Sequence, residues 1–174
     1  MHLDRLRLFH YIRVKFLKML GVLTVSQIDA LLQRHAFGRI GYQIDGRIFI
    51  IPVTYLFDGT YILAHSREGE KIHALRNQTE VCFQVDEITD QRNWQSVLVW
   101  GPYEEITDPQ QRYYALDRLI RKIHKLDVHH AADKPMELDI HPEQLLSDDD
   151  KNIVYRIHVL EKSGRFQQHE KIPS

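Results

Sequence analysis

Between Leu63 and Arg76 the chain reads LAHSREGEKIHALR, which places His65, Ser66, Arg67, Gly69 and Lys71 close together where an apolar run gives way to a helical pattern. A hydroxyl, a glycine that lets backbone approach an anion, and two cations beside a strand-to-helix junction are the parts of a phosphate holder. The same residues also suit an ordinary helix start, with Ser66 as the cap and a solvated basic face. His65 adds an imidazole that could donate a proton or a hydrogen bond to a substrate, or simply order the turn. A looser group, His124, His129, His130 and His141, has neither cysteines nor an HExxH spacing, so no metal site is assigned to it.

The elements that must position this junction are legible around it. Thr24 and Gln27 form a capping box ahead of Val25, Ile28, Leu31 and Leu32, which recur at helical spacing. Ile40, Tyr42 and Ile44 alternate up to the turn signal Asp45-Gly46, a β-branched and aromatic run follows from Ile48 to Leu56, and Asp58-Gly59 turns the chain back through Tyr61 to His65. Pro52 lacks an N–H and so belongs on an edge, at a bulge, or where its strand leaves a ladder. After a helix over 69–76, Val81, Phe83 and Val85 alternate. WQSVLVWG then predicts another strand, with a bend at Gly101-Pro102. Asp108-Pro109 opens a helix to about Lys125 with Tyr113, Leu116, Ile120 and Ile123 inward, and NIVYRIHVLEKSGRF reads as one last strand. Glu104 and Glu105 read as a solvated strand end, and Trp100 as a core or interface residue.

Bulk properties narrow the class. The 174 residues are 43% hydrophobic and 27% charged with a net charge of -1, which suits one folded domain and supplies no basic field for nucleic acid. Cys82 is the lone cysteine, so an intramolecular disulfide and a cysteine-based metal site are both excluded; a reducing, cytoplasmic location is expected. The first eighteen residues carry five Lys/Arg against one acid, threaded among apolar residues, which is not the pattern of a signal peptide or a membrane span. Residues 1–22 are expected to be a basic extension outside the fold, with the domain over 23–165 and a tail over 166–174. The segment from Asp127 to Lys151, with Pro135, Pro142 and three consecutive aspartates, reads as an irregular excursion. Six or so strands joined mainly by hairpins, with a few helices, predict a mainly β fold, a six-stranded antiparallel split barrel.

In their order and spacing the pieces IPVTY, HSREGEKI, VCFQVDE and WQSVLVWG resemble the flavin-binding split-barrel proteins related to pyridoxamine 5'-phosphate oxidase, nearest the nitroimidazole-resistance branch. The resemblance runs from about Leu23 to Thr107. It implies a homodimer with FMN in clefts at the subunit interface and a flavin-dependent oxidoreductase activity. It places Pro52, Val53, Thr54 and Tyr55 along the isoalloxazine edge, and His65, Ser66 and Lys71 at the ribityl-phosphate end. Trp94, Ser96 and Val97 would approach the flavin from the partner, and His65 is the candidate catalytic residue. Some relatives bind haem through histidine, the minority alternative to FMN, and a non-catalytic flavin or haem binder is the alternative function. A Rossmann-type site is not expected, because GxGxxG and a βαβ rhythm are both missing. The mixed, acidic stretch DVHHAADKPMELDIHPEQ also lacks the basic cluster that a vitamin B6 phosphate would need.

Overall fold

A computed structural model describes residues 19–78, 80–130 and 152–168. Nine strands form one antiparallel sheet in the order β1-β9-β6-β5-β2-β3-β4-β8-β7. They are β1 (Met19–Val22), β2 (Phe37–Ile44), β3 (Arg47–Phe57), β4 (Tyr61–Arg67), β5 (Val81–Asp90), β6 (Asn93–Gly101), β7 (Tyr103–Glu105), β8 (Asn152–His158) and β9 (Glu161–Gln168). Three helices accompany them among the described residues: α1 (Val25–Arg34), α2 (Glu70–Arg76) and α3 (Pro109–His130). The mainly β, antiparallel class is as the sequence predicts; the strand count is nine rather than six.

The alternation read from the sequence becomes a barrel because its inward residues share one core. Ile40, Tyr55, Ile62, Phe83, Val99 and Ile157, from six different strands, belong to a single buried cluster. Each such side chain contributes about 1.5–3 kcal/mol on leaving water. The sheet closes where β6 meets the end of β8: His158 N–H donates to the Pro102 carbonyl and Leu160 N–H to the Trp100 carbonyl. Gly101 stands at this crossing, and a Cβ there would fall on top of the His158 carbonyl oxygen. The Gly101-Pro102 bend therefore transfers the chain from β6, beside β5 and β9, to β7, beside β8. Helix α1 plugs one end with Leu31 and Leu32, both fully buried, and its capping box is present as predicted. Val25 stands out from that buried face, 63% exposed.

Four boundaries differ from the sequence reading. The final strand is two, β8 and β9, bent at Val159-Leu160, a pair without turn residues. Long-range bonds fix that bend, including Val159 N–H to the Thr60 carbonyl, and no local pattern records them. Met19–Val22, assigned to the extension, is a strand paired with β9 from Met19↔Gln168 to Val22↔Arg165. Residues 166–168, assigned to the tail, belong to that same ladder, because each edge supplies the other's missing backbone partners. Helix α3 runs on to His130, into the predicted excursion, whose remainder, with His141 and Asp148–Asp150, lies outside the described residues, as do residues 1–18.

Strand β3 creates the opening in the barrel. Its first part pairs with β2 (Arg47↔Ile44 to Thr54↔Phe37), and its pairing with β4 covers only Tyr55↔Ala64 to Phe57↔Ile62. Beyond Ala64, β4 continues beside β8 alone, with His65↔Val154, Ser66↔Ile153 and Arg67↔Asn152. The two strands thus part at Tyr55. Pro52 lies opposite Arg39 in the stretch with no ladder toward β4, so a residue without an N–H is tolerated there.

Candidate functional site

Where β3 and β4 part, a cavity of about 290 Å³ is lined by Pro52, Val53 and Thr54 of β3, His65 of β4, Lys71 of α2 and the α3 residues Leu116, Leu119, Ile120 and Ile123. Helix α3 covers the opening with Leu116, Ile120 and Ile123 of the stripe that its sequence spacing predicts, together with Leu119, whereas Tyr113, expected inward, is exposed. It is tied down along its length: Arg112 Nη2 donates to the Asn152 carbonyl at 2.9 Å, Arg118 pairs with Asp58 at 3.6 Å, and the Lys122 amine donates to the His35 carbonyl. Lys122 also lies over the Tyr55 ring, 4.6 Å from its centroid, and burial brings its pKa down to about 8.

The polar side of the cavity is cationic. Lys71 is half-buried and has no ion-pair or hydrogen-bond partner among the described residues, and burial lowers its pKa. Arg67 is likewise unpaired and exposed at the rim. His65 Nε2 lies 3.1 Å from Asn152 Oδ1. Burial first, then the charges of Lys71, Arg67 and Arg112, hold His65 below the ordinary histidine value against the pull of that hydrogen bond, so the ring is neutral at pH 7. The turn carrying Lys71 is fixed from behind: Arg76 donates to both Glu68 oxygens, at 2.7 and 2.8 Å, and to Glu105 at 2.6 and 3.2 Å. Glu104 accepts from Arg156 at 2.6 and 2.8 Å. The two glutamates are clamps, then, and not a merely solvated strand end.

Of the residues expected at the site, Pro52, Val53, Thr54, His65 and Lys71 converge on the cavity. Tyr55, expected with them, does not line the cavity: its ring is fully buried in the barrel core, its hydroxyl donates to the Leu32 carbonyl at 2.9 Å and its N–H to the Ala36 carbonyl at 2.8 Å. Ser66 does not cap α2. That role falls to Gly69, which makes no side-chain cap, and the Ser66 hydroxyl donates to the Arg67 carbonyl at 3.1 Å. Trp94 and Ser96 lie half-buried on the outer face of β6, apart from this chain's own cavity, where Ser96 Oγ accepts from Gln84 at 3.2 Å. Val97 departs from expectation, because its side chain is fully buried in the barrel core and its backbone is paired on both sides, to Val85 and Gly164. Its side chain points away from the outer face that Trp94 and Ser96 share.

Sequence reasoning missed Asn152, Arg112, Leu119 and Lys122. Nothing in their local pattern marks them, since each acquires its role by packing across the cavity from a distant element. His124 is exposed on α3, and no cluster of three or more potential ligands gathers among the described residues to hold a metal. No described helix is long and apolar enough to cross a membrane.

Fold and site together define a small antiparallel barrel split open over a ligand-sized cavity with one apolar wall and one cationic wall. Residues 24–165 match the family model described as pyridoxamine 5'-phosphate oxidase, and the chain belongs to that family. Among curated proteins, an uncharacterised protein of Rhizobium meliloti (strain 1021) is 33% identical over 82 residues; the alignment covers 45% of this chain, and the chain spans about half of that relative, 54%. The fold matches a FAD-binding protein from Mesorhizobium loti with a TM-score of 0.66 at 24% identity, covering 87% of this chain and 98% of that one. It also matches a protein assigned to 5-nitroimidazole antibiotic resistance from Bacteroides thetaiotaomicron (TM-score 0.63, 17% identity, 86% and 89% covered). A FAD- and haem-binding protein from Mycobacterium smegmatis gives 0.64 at 14% identity, with 89% and 76% covered.

Proposed function

We propose that the cavity holds FMN and that the chain works as a homodimeric flavin-dependent oxidoreductase on a small molecule. The observation that carries this reading is Lys71, a half-buried ammonium without an anionic partner among the described residues, on the wall of a cavity otherwise lined largely by apolar side chains. A buried charge costs free energy until a counter-charge arrives, and a phosphate monoester supplies one of the right sign and size. Ser66 and Arg67 would lie toward the same phosphate end. Family membership and the flavin-binding neighbours support the ring end of the assignment. Pro52, Val53 and Thr54 would run along the isoalloxazine, and His65 would offer a polar contact next to the ligand. Bound flavin would supply two-electron chemistry between a reduced nicotinamide and an acceptor such as a nitroaromatic or a quinone. The protein's part is orientation, exclusion of water by the α3 stripe, and charge.

A second copy completes the site in this reading. The cavity lies at the small end of the range for ligand pockets, so a tricyclic ring needs a further wall. The outer sheet face carries an apolar row, Ile50↔Gly41↔Cys82↔Trp100, flanked by Ile48; Ile48 and Ile50 are 75% and 67% exposed. Seating two such faces together would cover them and bring Trp94 and Ser96 toward the partner's flavin. A cytoplasmic setting, with reduced nicotinamides at hand, accords with the lone Cys82.

The test is an absorption spectrum of the purified protein, titration with FMN and FAD, and an acceptor screen. Expected are saturable FMN binding with one site per chain and NAD(P)H oxidation that depends on an added acceptor. FAD binding without FMN binding, a Soret band in place of flavin, or a bound flavin that never turns over would overturn the corresponding part of the proposal.

A further inference from the structure

Asn152 is the one buried amide or charged side chain among the described residues, 6% exposed at the start of β8. An amide in such a place costs free energy unless its bonds are specific, so its presence needs a reason beyond packing. Bonds to two other elements tie it down: its carbonyl accepts from Arg112 of α3, and its side-chain oxygen lies 3.1 Å from His65 Nε2 on β4. A neutral imidazole carries one proton, and an amide oxygen can only accept, so that proton sits on Nε2. His65 Nδ1 has no partner among the described residues. We propose that Asn152 is a positioning residue, which fixes the His65 proton on Nε2 and leaves Nδ1 as a hydrogen-bond acceptor for a donor group of the ligand.

This rests on the flavin-pocket reading for its ligand, and it changes the role expected of His65. The ring receives a hydrogen bond from a ligand O–H or N–H and does not deliver a proton. The groups facing it agree. Arg67 of β4, Lys71 of α2 and Arg112 of α3 are all cations, and Pro52–Thr54 of β3 bring no titratable side chain. A second proton on the ring is opposed by all three cations. An anion held by Lys71 and a donor held by Nδ1 together select a polyhydroxylated phosphate ester over an inorganic anion.

The test uses full-length protein labelled with 15N-histidine. Long-range 1H–15N correlation is recorded across pH on the unliganded wild type, Asn152→Asp and Asn152→Leu, with His65→Gln giving the assignment. The wild-type ring is expected as the Nε2–H tautomer, titrating below 6.5. Asn152→Asp, nearly isosteric, should move that titration upward by supplying a carboxylate. Asn152→Leu should abolish the tautomer preference and weaken FMN binding about fivefold, the scale of one neutral hydrogen bond. An Nδ1–H tautomer in the wild type, or a His65 titration identical in wild type and Asn152→Asp, would overturn the proposal even if the leucine variant failed to fold. The spectra are taken without flavin, so a failure to bind FMN would sink the cofactor reading separately.

Discussion

Replacing Lys71 by methionine separates ligand binding from folding at this site. Lys71 is half-buried and unpaired among the described residues, and burial lowers its pKa from the ordinary 10.5. Between the lowered folded value and 10.5 the unfolded chain binds more protons than the folded one, so this residue's contribution to stability rises with pH across that window. Below the window, at pH 7, the desolvated charge is at its full cost. Methionine fills similar volume among Leu116, Ile120 and Ile123 with no charge to desolvate, so the free variant should melt no lower than wild type. FMN binding should behave oppositely. Loss of one charge-assisted contact to a phosphate costs roughly 1.5–3 kcal/mol, on the order of 10- to 100-fold in Kd. The assay is quenching of FMN fluorescence at two salt concentrations, with differential scanning calorimetry of the free proteins. Added salt should weaken the wild type more than the variant, because only the wild type keeps the screened pair. A Kd within about twofold of wild type would refute the phosphate assignment, and a variant that melts well below wild type would refute the account of Lys71 as an uncompensated charge.

Other perturbations test separate parts of the structure. Gly101→Ala forces a Cβ onto the His158 carbonyl where two strands cross, and should lower stability by at least about 2–3 kcal/mol in urea unfolding. For Lys122, with a pKa of about 8, wild-type stability relative to Lys122→Met should rise as pH climbs from about 8 toward 10.5; parallel melting curves over pH 7–10 would contradict the burial of that amine. Ile50→Asp places a charge in the middle of the exposed apolar row. Light scattering should show a monomer and FMN binding should weaken, whereas an undisturbed dimer would put the interface elsewhere.

Much of the fold could be read locally because its causes are local. The Thr24–Gln27 box, the Asp45-Gly46 and Asp58-Gly59 turns, and the alternation through β2, β3, β5 and β6 each depend on neighbours within a few residues. The Val159-Leu160 bend was not legible, because bonds to Thr60 and Trp100 hold it and no turn residue does. Strand β1 was missed for a related reason: four residues beside a basic stretch carry no pattern of their own, and only β9 makes them a strand.

The site divides along the same line. Chemistry that travels with residue type came from the sequence alone: an imidazole, a hydroxyl and a lysine at one strand-to-helix junction, and a proline strand that could border a ring. Tertiary structure decided which of them meet. It set Lys71 and His65 on one cavity with Pro52–Thr54, turned Val97 into the core, gave the helix start to Gly69 instead of Ser66, and brought Asn152 and the α3 stripe from far along the chain. Burial and partnership are properties of packing between distant segments, and they determine whether a cation is solvated or waits for an anion, and which nitrogen of a histidine keeps its proton.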